Sequence, residues 1–102
     1  MTDEVFTLLV QVGRSEGDGL PDGTSGAALL CYASGKDEKA AVDATVQVLR
    51  QADMAPIEVE SYGSRSDRLA DGEEISPEDT ALMDRAIDEN AVIVAQVTTF
   101  DD

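Results

Sequence analysis

The sequence predicts one α+β domain: a single four-stranded mixed β-sheet, elements in the order β-β-α-β-α-β, with two helices packed on one face. Three observations carry this. The chain has 102 residues, 42% of them hydrophobic, which is room for a single domain over 1–102 and for a core inside it. Four short segments have the apolar runs or two-residue alternation of strands, and two longer ones have the 3.6-residue period of helices. Turn and cap residues separate them at the expected places.

The first strand spans 5–12, Val-Phe-Thr-Leu-Leu-Val-Gln-Val, and stops at Gly13. β-branched and aromatic side chains fit a pleated surface, which is why such a run reads as a strand. Residues 13–26 are rich in Gly, Asp and Ser around Pro21-Asp22-Gly23; Pro presets φ and Gly accepts positive φ, so this is a loop. Its length exceeds the usual hairpin connection and marks it as a segment of interest. The second strand, 27–33, is continuously apolar, Ala-Ala-Leu-Leu-Cys-Tyr-Ala, as a strand covered on both faces should be. From Lys36 to about Asp53 the period is helical, with Val42, Val46 and Leu49 in one row and Ala41, Val48 and Ala52 beside it. Ser34 and Asp37 stand at the spacing of a cap ahead of it, and Pro56 bars its continuation. Residues 57–62 alternate, Ile57 and Val59 against Glu58 and Glu60, giving a strand with one wet face. A polar loop covers 63–75. Ser76-Pro77-Glu78-Asp79 then opens the second helix: a hydroxyl at the N-cap, Pro at the first helical position, acids against the helix dipole. Its stripe is Leu82, Met83, Ala86 and Ile87, and 91–100 form the last strand.

In layers and size this plan resembles the ferredoxin-like class of two-layer α/β sandwiches, although its first connection is a Gly-rich loop where that class has a helix. The resemblance concerns the fold alone and carries no activity. Two helices on one face would leave the other face uncovered. Val5 and Leu9 oppose Phe6, Leu8 and Val10, and Tyr32 and Leu30 oppose Cys31 and Leu29, so both faces are apolar. Such a face is too large to leave wet in a monomer. The expectation is a homo-oligomer, most simply a dimer about a twofold axis, with the open face or an edge packed on a second copy.

Charge and missing residue types narrow the function. Twenty-two acids against 7 bases give a formal charge of −15, which opposes direct binding to nucleic acid and docking on an anionic membrane. No His is present, so imidazole-based metal sites and His-based nucleophilic catalysis are out of reach. The acidic flank Asp3-Glu4 ahead of the first apolar run differs from a secretory signal, and no apolar run approaches the roughly 20 residues of a membrane span. A lone Cys31 fits a reducing compartment. A cytoplasmic protein is expected, with no cofactor and no metal.

Few residues suggest chemistry. Asp and Gly in 17–23 match neither an EF-hand nor a phosphate loop. Gly23-Thr24-Ser25-Gly26 lacks the spacing of a nucleophile elbow, and Cys31 belongs to a buried strand. The candidate site is a small-anion site made by Arg14, Arg65 and Arg68 with the hydroxyl of Tyr62, provided that the ends of the first and third strands meet at one edge of the sheet. The bland alternative is that each arginine pairs with local acids. The leading functional expectation is a non-enzymatic protein-interaction or regulatory module. One alternative is an acidic mimic that occupies a nucleic-acid-binding protein, motivated by 13 acids and 3 bases within 57–102. The other is an anion sensor or enzyme built on the three arginines.

Overall fold

The computed structural model describes residues 3–101. Four strands, β1 (Glu4–Gly13), β2 (Thr24–Gly35), β3 (Ala55–Ser64) and β4 (Val92–Asp101), form one sheet in the order β3-β1-β2-β4. Every neighbouring pair is antiparallel, so the sheet is not mixed. The two central strands are the apolar ones, and the alternating β3 lies at an edge. Three helices complete the fold: α1 (Glu38–Gln51), α2 (Arg65–Ala70) and α3 (Pro77–Asp88).

The helices do not share a face. Phe6, Leu8, Val10 and Val12 of β1 join Ala27, Leu29, Cys31 and Ala33 of β2 in one cluster, closed by Ala41 and Leu49 of α1. Val5 and Tyr32 point the other way and are closed by Met83 and Ala86 of α3, with Leu82, Ile87 and Ile93 around them. The molecule therefore has three layers, and the two-layer, ferredoxin-like arrangement is corrected. Connectivity supplies the reason. β2 and β3 run in the same direction with β1 between them, so β2-α1-β3 is a crossover subject to the handedness rule. β3 and β4 run oppositely and occupy opposite edges, so no such rule fixes the side on which α3 returns. Face A, under α1, is already occupied; the apolar Val5, Tyr32 and Ile93 on face B draw α3 there.

Several local readings also shift. The row of α1 turned inward is Ala41, Thr45 and Leu49, whereas Val48 is 40% exposed. Thr45 tolerates full burial because its hydroxyl donates to the Ala41 carbonyl at 2.8 Å. Gly35 lets the helix come close: a Cβ there would stand 2.8 Å from the Ala41 nitrogen. The N-cap is Asp37, whose carboxylate accepts from the Ala40 N–H at 2.8 Å, while Ser34 still belongs to β2. The segment 63–75 is not all loop. It contains α2, started by a reciprocal capping box in which Ser64 and Asp67 satisfy each other's backbone N–H. Ser76 caps α3 with Pro77 at its start, in line with the sequence reading.

Candidate functional site

The three arginines are not brought together. Antiparallel pairing of β1 with β3 sets Gly13 opposite Ala55 and Phe6 opposite Ser64. Arg14 is thus at one end of the sheet, Arg65 and Arg68 at the other. Arg14 instead organises the long loop. Its guanidinium donates to Asp18 at 3.0 Å, to the Pro21 and Thr24 carbonyls at 3.0 and 2.8 Å and to the Thr24 hydroxyl at 3.0 Å. Asp18, only 5% exposed, also accepts from the N–H groups of Ser15 and Leu20 at 2.9 and 3.0 Å. These two backbone donors, helped by Arg14 and opposed by burial, hold the Asp18 carboxyl below its ordinary range. The segment marked for its length is a self-satisfied loop. Arg65 pairs with Asp84 at 2.7 Å and Arg68 with Glu73 at 3.4 Å; all three cations have carboxylate partners.

Arg68 and Tyr62 do meet, on face B. α3 covers this face only toward the Tyr32 end, and α2 stands beside it at the β1–β3 side. Between them lies a cavity of about 350 Å³ to which the sheet contributes Thr7, Leu30, Tyr32 and Tyr62, and α2, the turn after it and the first turn of α3 contribute Arg68, Glu73 and Asp79. Arg68 is held in place by Glu73 and by a 2.9 Å hydrogen bond to the Thr7 hydroxyl. The Tyr32 phenol is pushed up by burial first and then by Asp79, with Arg68 opposing. A smaller cavity of about 180 Å³ shares Leu30 and Tyr62 and continues over Leu9, Ala28, Gln96 and Thr98. Face B is therefore closed at one end and grooved at the other. Sequence reasoning missed Tyr32, Glu73 and Asp79 here. Tyr32 was legible only as core, and nothing in the spacing of the other two signals their meeting.

The two edges of the sheet differ. β3 has two register shifts against β1 and carries Pro56, Glu58 and Glu60, residues that discourage further strand pairing. β4 also has two register shifts against β2, between Thr24 and Gly26 and between Leu30 and Cys31, but it has no charged residue, Gly or Pro from Val92 to Phe100. Its residues Gln96 to Phe100 are all exposed. Val94 and Val97, 42% and 51% exposed, pair with Cys31 and Leu29 and so lie on face A. Phe100, opposite Gly26, lies on face B. Among the described residues no group of three or more His, Cys, Asp and Glu is placed to hold a metal, and no helix is long and apolar enough to cross a membrane.

Sheet, helices and surfaces define a small three-layer α+β module with a grooved face and an unguarded strand edge. The chain belongs to the family described as Domain of unknown function (DUF8846), whose model matches residues 5–101. No curated protein and no solved structure matches it.

Proposed function

We propose that this protein is a non-enzymatic interaction module that works as a homodimer, with β4 of one copy paired antiparallel to β4 of the other in a continuous sheet. The observation that carries the reading is the unguarded edge: an uncharged strand from Val92 to Phe100 in a chain whose residues are 28% charged. A long, exposed apolar edge is a template for another strand, and natural folds normally blunt it. The occupant is a second copy for an electrostatic reason. Two chains of charge −15 repel over most of their surfaces, and this edge is where they can meet without juxtaposing carboxylates. A twofold axis through β4 makes the contact self-complementary and covers Val94 and Val97 on one face and Phe100 on the other. The proposed setting is reducing and cytoplasmic, where the lone Cys31 stays a thiol.

The test is the mass in solution at tens of micromolar. Twice the chain mass of 10.8 kDa is expected, with the dimer strengthened by added salt because salt screens the mutual repulsion. Val97→Lys, at an exposed position, should give a folded monomer. A wild-type chain that stays at 10.8 kDa, or a dimer indifferent to Val97→Lys, overturns the proposal. A basic protein partner, as the nucleic-acid-mimic alternative requires, would show the opposite salt dependence.

A further inference from the structure

We infer that the larger cavity on face B is a binding site for a small organic ammonium: a cationic head on a short hydrocarbon or aromatic body. Its lining decides the sign of the ligand. Glu73 and Asp79 contribute two negative charges and Arg68 one positive, a balance of −1. Arg68 donates from Nε to Glu73 and from Nη1 to Thr7, and its charge is balanced by Glu73, which leaves the Asp79 charge in excess. The Asp79 and Glu73 carboxylates retain acceptor capacity beyond these contacts. Tyr62 is 47% exposed, and its ring lines both cavities; an aromatic face attracts a cation within about 6 Å of its centre. Leu30 supplies an apolar lining, continued by Leu9 and Ala28 in the adjoining cavity, on which a hydrocarbon body can rest. A volume of about 350 Å³ falls in the range of small-molecule pockets. The field of a chain carrying −15 concentrates cations around it. The site therefore takes the charge opposite to the one that the arginines in the sequence suggested, because each of those arginines has a carboxylate partner while Asp79 forms no ion pair among the described residues. It does not depend on dimerisation through β4.

The test is a nuclear magnetic resonance titration of the full chain with phenethylammonium, beside its neutral counterpart 2-phenylethanol, in 0.15 M salt. Saturable shifts are expected at Thr7, Leu30, Tyr62 and Asp79, with the alcohol at least tenfold weaker. Asp79→Asn and, separately, Tyr62→Ala should each weaken the amine about tenfold, and Glu58→Gln on the exposed β3 edge should leave it unchanged. Tyr62→Ala keeps the result readable should Asp79→Asn disturb the start of α3. Non-saturating shifts spread over the acidic surface, equal binding of amine and alcohol, or wild-type binding by both site variants overturns the inference. The Val97→Lys monomer should bind the amine as the wild type does, so failure of either proposal is distinguishable from failure of the other.

Discussion

Cys31 reports whether the centre of the sheet is as closed as the packing implies. It sits in β2 on face A, 0% exposed, between Leu8 of β1 and Val94 of β4. Burial pushes its thiol from 9.0 up to about 11, because the thiolate loses its hydration in an apolar setting. The thiolate is the reacting form. At pH 8 its population then falls from about 9% to about 0.1%, roughly a hundredfold, before any steric protection is counted. An aromatic disulfide reagent should therefore label the native chain more than a hundredfold more slowly than the urea-unfolded chain, through transient opening of the structure. The same burial fixes a pH dependence. The folded value is raised, so Cys31 favours the native state fully below pH 9 and loses that contribution as the pH climbs through about 11. A difference of about two units corresponds to about 3 kcal/mol. In urea titrations the wild type should lose about 2 kcal/mol of this between pH 9 and 11 relative to Cys31→Ala, which has no thiol to ionise. Native labelling within tenfold of the unfolded rate, or parallel pH profiles for the two chains, would refute the closed-core reasoning.

Two further outcomes follow from the layer order and from the loop. Leu49→Ala, beneath α1, should cost about 2–5 kcal/mol and Ala86→Gly, beneath α3, about 1 kcal/mol or more. Urea midpoints of the double variant should show the two costs adding to within about 0.5 kcal/mol, since the sheet separates the sites; strong coupling would mean that the helices share a core after all. Asp18→Asn should lower stability at neutral pH. The Asp18 carboxyl is held below 3.8, so its contribution is present above that value and disappears as the pH falls through the lower folded one. The gap between the variant and the wild type should close in acid, and a gap of constant size down to pH 2 would show that the Arg14–Asp18 loop owes nothing to the carboxylate charge.

Much of the fold is readable along the chain. Ser76-Pro77 starts α3 where a cap and a fixed φ require it, and the apolar run Ala27 to Ala33 lies in a doubly covered central strand. The ends of β2, Thr24 to Gly26 and Ser34 to Gly35, escaped notice because ladder pairing with β1 and β4 recruits residues whose own side chains give no strand signal. α2 escaped because a six-residue helix shows too little periodicity to detect. The arginine cluster failed for a geometric reason: residues just past the ends of two strands meet only if the strands are parallel, and β1 and β3 are not. The period alone places Val48 inward, yet the close approach at Gly35 and Ala41 turns α1 so that Thr45 takes the buried row.

The amino-acid order by itself determined the four strands, the two long helices and the cap of α3, the acidic surface and the missing His-based chemistry, since each depends on local sterics, periodicity or a count of charges. Only the tertiary structure decided which face each helix covers, where the arginines go and which strands become edges. Those outcomes depend on strand direction and on contacts between residues far apart in the chain, such as Thr7 with Arg68 and Tyr32 with Asp79, for which nearest neighbours in the chain carry no code.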